Sequence, residues 1–192
     1  MAAVLLNRGL TDPESAAAFL DPRLASLSDP SRLRDMDRAV ARTLQALQGQ
    51  EPIALYGDYD ADGMTSTALL VTFFRMIGVA VEAFVPDRQR DGYGLNADRV
   101  RELAGRGVRL LITLDCGTRS LDEARLAASL GMDLVVIAHP EVGPELPDVA
   151  ALVNPCRADC TFPFKHLASV GLAFYFAGAL RRALAGADWP GP

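Results

Sequence analysis

A chain of 192 residues, half of them apolar and 22% charged, is long enough to bury one α/β core and too apolar to be disordered. Its net charge of −5 excludes binding a polyanion through the overall field, so a nucleic acid would have to be held by a local basic patch. No run approaches the roughly 18 apolar residues of a membrane helix, and the opening MAAVLLNRGL lacks the basic region of a signal peptide. Three cysteines without framework spacing suit a reducing compartment, so the expectation is a cytoplasmic chain with no membrane partner.

TDPESAAAFL (11–20) places Thr11 three residues before Glu14, a capping-box pattern with Pro13 in the first turn, and predicts a short helix to about Leu20. From Arg34 to Leu47, the residues Met36, Ala39, Val40, Leu44 and Leu47 recur at helical spacing, and Gly49 supplies a stop. Residues 1–50 are therefore expected to form a helical leader. The pattern then changes. PIALY (52–56), VEAFV (81–85), VRLLITL (108–114) and DLVVI (133–137) are short apolar runs rich in β-formers, with helical stretches near 64–77, 96–105 and 119–130 between them. VAALV (149–153) is a candidate fifth strand, and SVGLAFYFAGALRRAL (169–184) reads as a buried helix. Strands alternating with helices at this spacing predict an α/β domain over 51–192, with a mainly parallel sheet covered by helices on both faces.

Ligands of open parallel sheets bind outside the carboxyl ends of the strands. YGDYDADGMTSTALL (56–70) follows the first strand directly and sets Asp58, Asp60 and Asp62 at alternate positions. Carboxylates so close repel one another and resist ionising unless a cation sits among them. Asp115, in LLITLDCG, ends the third strand, and His139, in LVVIAHPE, lies just past the fourth. Oxygen ligands with one imidazole suit Mn²⁺ or Mg²⁺ better than a structural zinc, and a carboxylate bridging two such ions supports in-line phosphoester displacement. Gly57 and Gly63 bracket the loop and are expected to permit tight backbone turns. Thr65, Ser66 and Thr67 are expected to open the next helix, either as ordinary caps or beside free N–H groups that receive a phosphate. Arg88, Arg90, Arg99, Arg101, Arg106 and Arg109 concentrate around Tyr93, and Arg99, Arg101 and Arg106 read as solvated helix faces. Cys156 and Cys160 form a C-x₃-C with too few partners for zinc and read as ordinary thiols.

These stretches resemble the RecJ family of single-strand-specific 5′→3′ DNA exonucleases, within the DHH phosphoesterase superfamily. The leader, YGDYDADGMTSTALL (motif I), VPDRQRDGYGL, LITLDCG (motif II), ELPDVAALVNP and FPFKHLASVGLAF carry the resemblance, which runs nearly end to end. It implies the N-terminal domain of a metal-dependent phosphodiesterase of DNA recombination and repair, using Mn²⁺ or Mg²⁺, with single-stranded DNA and other repair proteins as partners. It makes Asp60 and Asp62 metal ligands, Asp58 an outer acid that stands behind them or serves as a weaker ligand, Asp115 the metal bridge and His139 a further ligand. It places Arg88, Tyr93, Gly94, Thr65 and Ser66 against the substrate.

The match breaks at motif III. The triplet that names the superfamily falls on Ala138, His139 and Pro140 and reads AHP. Alanine cannot orient the neighbouring imidazole, a loss that typically costs about 10- to 100-fold in metal affinity or activity. Proline has no proton to give a leaving group. Ser169 stands where the family pattern has glycine, and Pro192 precedes the family's fourth motif and second lobe. Severely impaired hydrolysis is therefore expected of this chain. Two other readings stay open: a non-catalytic module that binds single-stranded DNA or protein, and a small-substrate DHH phosphoesterase.

Overall fold

The apolar runs become five parallel strands, β1 (Ile53–Gly57), β2 (Glu82–Phe84), β3 (Leu110–Leu114), β4 (Asp133–Ile137) and β5 (Ala151–Val153), in the order β2-β1-β3-β4-β5. They belong to a computed structural model that describes residues 2–140, 142–187 and 189. Alternate residues of β1 face opposite ways, as the two-residue strand period requires. Ile53 and Leu55 join a core with Leu33, Met36, Leu70, Phe74 and Phe176. Ala54 and Tyr56 join a second core with Val100, Leu103, Ala124 and Ala127. The first core lies under α3 (Met36–Gln48), α4 (Ala61–Met76) and α7 (Ser169–Gly186), the second under α5 (Ala97–Gly105) and α6 (Leu121–Ser129). The all-parallel sheet with helices on both faces is the fold class expected from the alternating pattern. This strand order reverses direction between β1 and β3, and open parallel sheets bind their ligands at the carboxyl ends beside such a switch point.

Two short helices precede this layer, α1 (Ala2–Asn7) and α2 (Pro13–Leu20), and neither buries a residue. The capping residue of α2 is Asp12 rather than Thr11, because its carboxylate accepts the Ser15 N–H at 2.8 Å. α3 behaves differently. Met36, Ala39 and Leu47 are buried in the main core, while Val40 and Leu44 pack on its edge. Its start is tied to β5 through Asp35, a left-handed residue (φ 63°) whose carboxylate meets the buried Arg157 guanidinium at 2.7 Å and accepts the Leu152 N–H at 3.3 Å. Among the described residues no helix is long and apolar enough to cross a membrane.

Candidate metal centre

Strand register assembles the centre. Gly57, Leu114, Ile137 and Val153 lie in one paired row across the sheet. The next residues out are Asp58, Asp115, Ala138 and Asn154, and the ladder continues one step into them: Asp58 N–H donates to Leu114 O, Asp115 N–H to Ile137 O and Ala138 N–H to Val153 O, at 3.0–3.1 Å. Asp115 then turns out of the strand with φ 65°, a left-handed conformation that aspartate tolerates better than most residues.

Gly57 and Gly63 are needed for contact rather than for turning, since neither has a positive φ. A Cβ on Gly57 would lie 2.1 Å from Thr67 Oγ1, and one on Gly63 would lie 2.4 Å from Asp58 O and 2.5 Å from Asp58 N. The first turn of α4 therefore packs directly on the aspartate loop. Gly63→Ala is expected to cost about 3 kcal/mol through forced displacement of that loop, read as a lower midpoint in urea unfolding. A midpoint within experimental error of wild type would show that the loop yields freely.

Two overlapping groups of ligand atoms share Asp115. Asp62, Asp115 and His139 form one, and Asp58, Asp60 and Asp115 the other, each with one ligand atom per residue and all of them within 4.8 Å of one another. His139 Nε2 stands 3.3 Å from Asp62 Oδ2 and 3.4 Å from Asp115 Oδ1. Asp60 caps α4 by accepting the Gly63 N–H at 2.9 Å. Asp62 accepts two N–H groups from the start of α7, Ser169 at 2.7 Å and Val170 at 2.8 Å. Burial pushes the Asp115 carboxyl up to about 6, against a Ser169 hydrogen bond that pulls it down, and the Asp62 and Asp60 charges push it further. Asp58 is also raised, first by burial and then by Asp60. Its Oδ1 is buried without a hydrogen-bond partner. A carboxylate oxygen left bare among other carboxylates is costly, and a divalent cation removes that cost. The donor set fits such an ion.

The hydroxyls of motif I are placed differently from the expectation. α4 begins at Ala61, so Thr65 and Ser66 lie in its second turn and donate back to Ala61 O (2.7 Å) and Asp62 O (2.6 Å). Ser66 is fully buried. Neither residue opens the helix or caps it, because Asp60 takes that place. Arg88 lies over the Tyr59 ring at 5.5 Å, and Tyr59 meets the exposed Tyr93 edge-on at 6.4 Å, which gathers one cation and two aromatic rings next to Asp58 and Asp60. Gly94 (φ 89°) accepts the Tyr56 hydroxyl and helps line a cavity of about 550 Å³ between residues 93–95, residues 117–120 and Pro140. Arg99, Arg101 and Arg106 are engaged by acidic partners, Asp91, Asp98 and Glu82 among them. Among the described residues no cysteine joins a group that could hold a metal.

Three residues with a bearing on the centre went unassigned from sequence. Asn154, fully buried, donates to Pro140 O at 2.8 Å and holds the AHP turn; its position after the fifth strand at the same sheet edge was the available signal. Tyr59 carries no carboxylate and lies between Asp58 and Asp60, which do. Ser169 was visible only as a departure from a pattern, and its three bonds to the site become evident only in the folded chain.

The N-terminal domain model of the DHH family matches residues 52–188, and the chain belongs to that family. It is 44% identical over 180 residues to the single-stranded-DNA-specific exonuclease RecJ of Bacillus subtilis, a match covering 94% of this chain and 23% of the relative. Among solved structures, RecJ of Thermus thermophilus in complex with Mn²⁺ superposes with a TM-score of 0.74 at 30% identity, over 94% of this chain and 24% of that one. A manganese-bound exonuclease RecJ gives 0.73 at 32% identity, over 79% of this chain and 38% of that one. The chain thus spans about a quarter of the length of the curated relatives it matches.

Proposed function

We propose that this chain carries the divalent-metal half of a RecJ-type 5′→3′ single-stranded-DNA exonuclease core, acting in cytoplasmic DNA recombination and repair alongside other repair proteins, with hydrolysis strongly reduced by its AHP sequence. One observation carries the reading: two ligand groups share Asp115 at the β1/β3 crevice, beside a buried carboxylate oxygen of Asp58 that has no partner. The Mn²⁺ and Mg²⁺ of the solved RecJ structures support the choice of ion.

Asp60, Asp62, Asp115 and His139 would hold the metal, with Asp58 as a weaker ligand on the side of Asp60 and Asp115. A bound divalent ion supplies a Lewis acid and a water of lowered pKa. The chain's own groups do the rest. Asp115 lies buried between the two ligand groups and holds them in one place. His139 Nε2 is shared between Asp62 and Asp115, and Asp62 is aimed by the start of α7. Tyr59, Tyr93 and Arg88 offer aromatic faces and a cation for the bases and phosphates of a single strand. Pro140 has no proton to move at its position, and Ala138 has no carboxylate, so leaving-group protonation and imidazole orientation both lose a contributor.

Calorimetric titration with Mn²⁺ tests the binding step, and release of nucleotides from a 5′-labelled strand tests hydrolysis. Wild type is expected to bind Mn²⁺, Asp115→Ala to lose that binding, and slow divalent-dependent release to disappear in Asp60→Ala. No Mn²⁺ uptake up to millimolar concentration would sink the reading. Preference for very short oligonucleotides over long strands would point to a small-substrate phosphoesterase instead.

A further inference from the structure

Ser169 touches every member of one ligand group. Its backbone N–H donates to Asp62 Oδ2 at 2.7 Å, its hydroxyl donates to Asp115 Oδ1 at 2.7 Å, and the same oxygen accepts the His139 backbone N–H at 3.3 Å. The residue is fully buried. A serine one residue earlier, at the capping position, would spend its hydroxyl on the helix's own free N–H groups, but that position is Ala168 and Ser169 is the first helical residue. Here those groups are already served: Asp62 takes the Ser169 and Val170 N–H, and Ala168 O takes those of Gly171 and Leu172. The hydroxyl is thereby left to bond the centre.

The AHP turn needs such a hold. Ala138 is buried in the apolar core and offers no polar atom beyond its backbone to the imidazole that follows it. Asn154 grips the far side of the turn at Pro140 O, and Ser169 grips the near side at His139 N–H. We infer that Ser169 is a positioning residue for this chain's metal centre: its hydroxyl fixes Asp115 and the His139 backbone relative to each other, a task that neither Ala138 nor Pro140 can perform. The inference rests on the metal-centre reading above.

The test compares wild type, Ser169→Ala and Ser169→Gly. Both variants keep the N–H that Asp62 accepts; Ser169→Ala loses only the hydroxyl, while Ser169→Gly loses the Cβ with it. With two histidines in the chain, ¹⁵N-histidine labelling gives two backbone amide signals, His139 and His166. In metal-free protein, hydrogen exchange at His139 is expected to accelerate about tenfold in both variants, with His166 unchanged. Mn²⁺ affinity by calorimetry is expected to fall about 10- to 100-fold, as for other residues that orient ligands. The zero-field splitting of the bound Mn²⁺ in electron paramagnetic resonance is expected to change, which a purely structural role would not produce. Folded variants with wild-type Mn²⁺ affinity, or with tighter binding, overturn the positioning role alone. An unprotected His139 amide in wild type overturns it even if neither variant folds. A wild type that takes up no Mn²⁺ overturns the metal reading and this inference with it.

Discussion

Asp115→Asn is expected to raise the melting temperature of the metal-free chain at pH 7 while abolishing its Mn²⁺ binding. The carboxyl sits 4% exposed with its pKa pushed up to about 6, first by burial and then by the charges of Asp62 and Asp60. A folded-state pKa above the unfolded value means that the folded chain holds the proton more tightly. Its ionised form is therefore a burden on the fold at neutral pH, one that shrinks as pH falls below about 6 and is gone below about 4. Asparagine keeps the shape, accepts the Ser169 hydroxyl and tolerates the left-handed backbone, without the charge. A shift of this size corresponds to stabilisation on the order of 3 kcal/mol, or several degrees in a chain of this length. The difference between variant and wild type should be largest at pH 7 and close to zero at pH 4. Adding Mn²⁺ should reverse the order, since only the wild type gains binding energy. Thermal melts from pH 4 to 7, with and without Mn²⁺, check every part. A variant that melts below wild type at pH 7 without metal would show that the carboxylate is not strained in the empty centre.

Arg157→Ala is expected to cost about 3 kcal/mol, because the buried Asp35 carboxylate loses its 2.7 Å partner and keeps only the longer Arg38 and Arg34 contacts, at 3.5 and 3.7 Å, and the Leu152 N–H. Arg157 and Asp35 are 8% and 7% exposed. The guanidinium also bonds Leu152 O at 2.8 Å and pairs with both oxygens of Asp159 at 2.8 Å. Burial pushes the Asp35 carboxyl up, but the Arg157 and Leu152 hydrogen bonds outweigh it, so the net direction is down. Asp35 therefore stabilises the fold above the ordinary carboxylate range and loses that contribution as pH falls through its lowered value. Asp115 and Asp35 therefore respond to acid with opposite signs. Urea unfolding of Arg157→Ala should show the loss, and the double change Asp35→Asn with Arg157→Met should recover much of it, because an uncharged pair carries no stranded charge. A double variant as unstable as the single one would mean that the pair's value is its charge interaction and not the penalty of breaking it.

Much of this molecule is legible along the chain. DLVVI forms β4 at its own bounds, and the other strands begin and end within two residues of their apolar runs, because apolar period and flanking turns are local properties. The placement of Asp58, Asp115 and His139 at one sheet edge follows from the same information, since residues just past parallel strands share that edge. Helix starts were less legible. α4 begins three residues before the expected position because Asp60, read as a ligand, also caps it.

Only the tertiary structure decided the rest. Ser169 meets Asp62 across 107 positions and Asp115 across 54, and Arg157 meets Asp35 across 122. No local period encodes contacts at such separations. Gly57 and Gly63 likewise read as turn residues, whereas the packed chain needs them because α4 lies on the backbone of the aspartate loop. Propensity and strand-end position are written residue by residue. The partner of a buried hydroxyl, a bare carboxylate oxygen or a guanidinium is set by which elements the sheet brings together, and that becomes definite only when the layers close.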